Sequence, residues 1–145
     1  MVDEPSGFGE HKMYYFAYAS NLSRKQMSQR CPDAQLKFVA TLPNHKLIFA
    51  GWSKKWCGGV ASIKPCEGEK VIGAIYEISE RCLRSLDKCE DYPTTYGREN
   101  IIVFTGFDAP VEAITYVKVE QSDETQTSGE YLATIQQGYK DWDIV

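Results

Sequence analysis

Tyr15-Phe16-Ala17-Tyr18-Ala19-Ser20-Asn21-Leu22 is an apolar run that stops at a cluster of small and polar residues, the pattern of a strand feeding a tight turn. Ser23, with Gln26 three positions later, marks a helix start, because a serine hydroxyl can accept a backbone N–H of the first turn while the glutamine reaches back. Free N–H groups therefore converge at the turn. Together with the positive end of the helix dipole they favour a carboxylate or phosphate. An ordinary strand–turn–helix connection has the same local pattern, so the stretch by itself leaves a structural and a functional reading open.

Before it, residues 1–12 are polar and contain Pro5, Gly7 and Gly9; a disordered leader is expected there, with 13–145 as a single domain. After it, a helix is expected from Arg24 to about Arg30, stopped by Cys31-Pro32. Lys37 to Leu42 and Lys46 to Ala50 are strand-like and separated by the turn dipeptide Pro43-Asn44. Val60 to Lys64 and Val71 to Ile78 flank residues 65–69 as a hairpin, and the second of these strands, apolar or small on both faces, should be central. Ser79 can cap a helix running through Leu83 and Leu86 to about Cys89. Asn100 to Thr105 and Val111 to Val119 make another hairpin. A last helix opens at the capping box of residues 127–130 and carries Leu132, Ile135 and Tyr139 at helical spacing up to Trp142. Roughly seven strands and three short helices in mostly hairpin order predict an α+β fold on a small curved or barrel-like mixed β-sheet.

Composition narrows the function. The 145 residues are 43% hydrophobic and 25% charged, enough for one domain with its own core. A net charge of −4 with dispersed Lys and Arg lacks the basic stripe of a nucleic-acid binder. No apolar segment approaches the roughly 18 to 20 residues needed to span a bilayer, and the first residues are unlike a signal sequence, so a soluble, cytoplasmic protein without a membrane partner is expected. The five cysteines form no C-x-x-C pair; they are read as free thiols packed in the fold, neither a disulfide framework nor a zinc knuckle. With only His11 and His45 as histidines, a His-rich metal site and a Ser-His-Asp triad are both poorly supported.

Leu83, Leu86 and Glu90 are spaced i, i+3, i+7 and share a helix face. If the helix persists that far, Glu90 is carried inward with two leucines, and burial raises its pKa toward the range useful for proton transfer. If the helix ends at Asp87 or Lys88, Glu90 lies in a solvated loop. Asp87, the rival carboxylate, is read as making a local hydrogen bond at the helix end. Tyr96, Tyr116 and Tyr131 could line one pocket, since tyrosine can wall a cavity and still hydrogen-bond, although each taken singly reads as a core-edge residue.

Together these pieces carry a resemblance. The run Tyr15 to Leu22, then Trp56-Cys57-Gly58-Gly59-Val60-Ala61, then Leu86-Asp87 with Glu90 and the later Tyr96, resemble the gamma-glutamylcyclotransferase family over nearly the whole chain. The resemblance implies a barrel-like α+β domain whose cavity holds a gamma-glutamyl group, with no metal or organic cofactor, a small-molecule substrate as partner and a homodimer as one oligomeric option. It assigns the catalytic carboxylate to Glu90. Substrate binding falls to Tyr18, Ala19, Ser20, Asn21 and Leu22, whose loop supplies backbone N–H groups, and to Tyr96, Tyr116 and Tyr131. The implied reaction is internal cyclisation of a gamma-glutamyl amino acid, peptide or amine to 5-oxoproline, with Glu90 moving the proton. Two residues depart from the family pattern, which usually has glycine at the positions of Ala19 and Asp91. Asp91 would add a like charge beside Glu90 and raise its pKa further. These departures motivate the second reading, a non-catalytic binding or interaction protein that keeps the fold.

Overall fold

The computed structural model describes residues 13–120 and 124–144; the expected leader lies outside them. Five strands close into a barrel in the order β1-β3-β2-β4-β5, giving an α+β fold on a mixed sheet. β1 is Met13–Ala17, β2 Gln35–Ser53, β3 Gly58–Ile78, β4 Tyr96–Phe104 and β5 Pro110–Lys118; the helices are α1 (Arg24–Arg30), α2 (Glu80–Cys89) and α3 (Gly129–Asp141). All pairings are antiparallel except β1 with β5, which meet in parallel at Tyr15 and Ile114.

The strand count of roughly seven is corrected to five. Pro43-Asn44 and residues 65–69 do not reverse the chain. They face each other across one long two-stranded ribbon, where the β2–β3 register passes from Pro43↔Lys70 to His45↔Pro65. The extra residues of β3 bulge outward there, with the Gly68 N–H donating to Asn44 Oδ1 at 3.2 Å. Proline and glycine collect at such bulges because they withhold a ladder donor or supply positive φ, and in sequence this looks the same as a turn. β3 does take the central place expected of it, between β1 and β2.

β1 is apolar without alternation because both of its faces are buried. Tyr15 and Ala17 belong to one core cluster, with Leu22, Met27, Cys82 and Leu86 under the helices. Phe16 and Tyr18 belong to the other, with Leu42, Ile63, Ile75 and Val103, as the two-residue period of a strand requires.

The helix caps are Ser23, Ser79 and Ser128, whose side chains accept from the N–H groups of Gln26, Cys82 and Tyr131. The last cap is one residue beyond the expected Thr127, whose hydroxyl donates instead to the Gly59 carbonyl at 2.7 Å. The inward face of α3 is accordingly Tyr131, Ile135 and Gly138, and Leu132 is 39% exposed. The cysteine reading is also corrected. Cys31 and Cys82 are joined in a disulfide tying the end of α1 to α2, while Cys57, Cys66 and Cys89 are free. A separation of 51 residues left no local signature for that pairing.

Candidate active site

The opening stretch leaves β1 at Ala17, passes through Tyr18 and Ala19, and makes a single 3-10 turn at Ser20–Leu22 before α1. The Leu22 N–H donates to Ala19 O, and the Ser23 N–H to Ser20 O, each at 3.0 Å. The N–H groups of Ala19, Ser20 and Asn21 are the ones a helical turn leaves without an acceptor of its own. Leu22 is a correction: its N–H is spent in the turn, its carbonyl accepts from Trp142 Nε1 at 3.0 Å, and its side chain is fully buried in the core. It shapes the loop without facing the cavity.

Ala19 adopts φ −134°, so no left-handed conformation demands glycine there. Ala19→Gly is therefore expected to keep the fold and to lose only about 0.4–1 kcal/mol through a freer unfolded chain, measured by denaturant titration; global unfolding would contradict this account of the turn.

α2 persists just far enough. Glu90 is its C-cap, with its N–H donating to Leu86 O, and its side chain is 17% exposed. A cavity of about 650 Å³ opens beside it, within the size range of small-molecule sites. Tyr18, Ala19, Ser20 and Asn21 line one wall, Tyr96, Tyr116 and Tyr131 another, and Glu90 reaches between them. Apart from Leu22, every site residue anticipated from sequence comes to this one cavity.

Burial raises the Glu90 carboxyl above its usual range, and the Arg30 guanidinium and then the Lys55 ammonium pull it partly back. Arg30 Nη1 lies 3.8 Å from Glu90 Oε2, and Asn21 Nδ2 approaches the same oxygen to 3.5 Å. Asp91, expected to push the pKa higher, is not among these influences. Its carboxylate turns away to accept from Thr95 Oγ1 at 2.7 Å. Its φ of +53° is left-handed, which explains a preference for glycine at that position and the tolerance of aspartate.

Several lining residues escaped the sequence reading. Gln26 half-completes the expected capping box: its backbone is capped by Ser23, but its side-chain amide donates to Ser20 Oγ at 2.7 Å and Asn21 Oδ1 at 3.0 Å. Arg30, in the last turn of α1, donates to Asn21 Oδ1 at 3.0 Å. Trp56 packs on Tyr131 with ring centroids 4.8 Å apart, and Lys55 and Trp52 stand at the rim, Trp52 being 71% exposed. The Trp56-Cys57-Gly58-Gly59 motif pointed to that loop, whereas Arg30 and Gln26 read as ordinary helix residues.

Comparison with known proteins bears on what this cavity belongs to. A family model described as "Gamma-glutamyl cyclotransferase, AIG2-like" matches residues 15–142. The chain belongs to that family. Human gamma-glutamylcyclotransferase is 36% identical over 89 residues, covering 59% of this chain and 47% of the human protein. Bovine gamma-glutamylaminecyclotransferase is 38% identical over 53 residues, covering 36% of this chain and 32% of that protein. The matched segment thus spans about half the length of the human relative or less. A solved structure titled gamma-glutamyl cyclotransferase superposes with a TM-score of 0.86 at 28% identity, over 91% of this chain and 80% of that one. In this member of the gamma-glutamyl cyclotransferase family, Glu90 and the strand-end loop line one cavity, with Asn21 of the loop 3.5 Å from the Glu90 carboxylate. Among the described residues no cluster of three or more His, Cys, Asp or Glu is arranged to hold a metal, and no helix is long and apolar enough to cross a membrane.

Proposed function

We propose that the protein is a gamma-glutamyl cyclotransferase that converts a gamma-glutamyl amino acid or short peptide to 5-oxoproline and the free amine. The observation that carries the reading is Glu90, a largely buried carboxylate with a raised pKa, lining one cavity with the loop of Ala19, Ser20 and Asn21. The substrate's α-ammonium gives a proton to Glu90, and the freed amine attacks the γ-carbonyl. One carbon–nitrogen bond forms and the bond to the leaving nitrogen breaks; the attacking nitrogen sheds a second proton as the lactam closes, and the two protons, relayed in turn through Glu90, leave with the departing nitrogen as an ammonium. Holding the chain folded makes the attack intramolecular, which is worth an effective molarity on the order of 10⁵ M or more. The N–H groups of the loop clamp the α-carboxylate or the developing oxyanion.

The leaving half would extend toward the rim, where Lys55 places positive charge. This favours an amino acid or peptide, whose leaving half ends in a carboxylate, over a simple amine. Lys55→Gln is expected to raise KM for gamma-glutamylalanine about five-fold, the ~1 kcal/mol of an exposed ion pair, and to leave KM for gamma-glutamylethylamide unchanged. Any effect of Lys55 on Glu90 is common to both substrates, so the ratio isolates the carboxylate. The general test is a panel of gamma-glutamyl dipeptides and amines assayed for 5-oxoproline; folded protein that yields none from any of them would favour a binding protein instead.

A further inference from the structure

A phenol has one proton, and where that proton goes decides what its oxygen can offer a ligand. Five tyrosines line the cavity, and they divide into two sets. Tyr18 donates to the Tyr116 carbonyl at 2.6 Å, Tyr96 to the Ala61 carbonyl at 2.7 Å, and Tyr116 to Asp87 Oδ1 at 2.6 Å. Their remaining capacity is to accept. Tyr15 and Tyr131 are the reverse. They accept from Asn21 Nδ2 at 2.9 Å and from the Ala61 N–H at 3.1 Å, and Tyr131 also shares a hydrogen bond with the Ser20 side chain.

Tyr116 differs from Tyr18 and Tyr96 in that its proton is held by a side chain. Asp87 reaches it from α2, one turn before Glu90, and does not itself line the cavity. The expected local hydrogen bond of Asp87 is thus replaced by one to a strand 29 residues away. On its other side Asp87 Oδ1 lies 3.6 Å from Arg98 Nε, and the Arg98 guanidinium in turn sits 4.2 Å over the Tyr92 ring. A carboxylate accepts only, so Tyr116 cannot exchange roles with it.

We infer that Asp87 is a positioning residue: by holding the Tyr116 proton it makes that phenol oxygen a pure acceptor toward the cavity, matched to the α-amino group of the substrate. This rests on the cyclotransferase reading. The α-amino group is the substrate's nucleophile and begins as an ammonium with three N–H bonds. With one N–H held by Tyr116 on β5 and one proton passed to Glu90 at the end of α2, the nitrogen lone pair is left for the γ-carbonyl.

The test compares a substrate with an analogue that lacks the amino group. In Asp87→Ala, kcat/KM for gamma-glutamylalanine is expected to fall about ten-fold or more, as for loss of a hydrogen bond to a charged group. The Ki of N-glutarylalanine as a competitive inhibitor should stay within about two-fold of wild type, because it presents no amine to Tyr116. Asp87→Asn, which keeps an acceptor oxygen, should recover most of the loss, and in a Tyr116→Phe background Asp87→Ala should have little further effect. A Ki that rises in step with the loss, or an Asp87 effect undiminished by Tyr116→Phe, would show a merely structural role and overturn the inference with the activity still standing. Wild-type protein that turns over no gamma-glutamyl compound would overturn the cyclotransferase reading itself, and this assignment with it.

Discussion

Glu90→Gln is expected to lower the rate of 5-oxoproline release by roughly 10²- to 10⁴-fold, the range supplied by a positioned acid or base, in a protein that is folded and more stable than wild type at neutral pH. Both halves have one cause. The Glu90 carboxyl is raised above its ordinary value chiefly by burial, so the folded state binds its proton more tightly than the unfolded chain does. The stability this lends is fully present below the unfolded pKa and is lost as pH rises through the folded one. Above that point wild type keeps a buried charge whose desolvation outweighs its attraction to Arg30 and Lys55. Glutamine has the same shape and no charge. The stability gap between variant and wild type should therefore widen as pH climbs from about 4.5, measured by thermal or denaturant unfolding at each pH. The same titration should place the acid limb of kcat/KM above the ordinary carboxylate range. A near-normal rate in Glu90→Gln would remove Glu90 from the mechanism.

Gly138→Ala is expected to damage both fold and activity from a position that touches no substrate. Gly138 lies on the inner face of α3, and a β-carbon there would overlap Leu22 Cβ and sit 2.7 Å from Leu22 C and Ser23 N. Most of these are backbone atoms, so the turn that carries Ser20 and Asn21 would have to move. Overpacking of this kind costs about 1–3 kcal/mol, against ~1 kcal/mol gained from the better helix propensity of alanine. A displacement of about 1 Å at the loop would cost on the order of 10²-fold in kcat/KM. Gly106, with nothing within 4 Å of its own added β-carbon, provides the control. Wild-type rate and stability in Gly138→Ala would mean that α3 does not hold the loop in place.

Much of the fold was legible because it depends on local chemistry. The serine caps at Ser23 and Ser79, the strand that feeds the Ser20–Leu22 turn and the central place of β3 each follow from residues adjacent in the chain, whereas the reach of α2 to Glu90 was open at its last turn. The errors fall where two distant segments decide the outcome. Pro43-Asn44 and residues 65–69 looked like turns, and became a bulge only because they meet across the β2–β3 ribbon. Cys31 and Cys82 looked like unrelated thiols until the ends of two helices brought them together.

The site divides in the same way. The sequence by itself determined the barrel-like α+β class and the strand-end loop, and set Glu90 at helical spacing from two leucines, because strand period, helix period and capping are short-range properties. Only the tertiary structure decided that α2 reaches Glu90, that the Leu22 side chain is buried in the core and does not line the cavity, that Arg30 and Lys55 temper Glu90, and that Asp87 accepts the proton of Tyr116. Those outcomes depend on burial and on hydrogen bonds between groups far apart in the chain, which no spacing along the chain encodes.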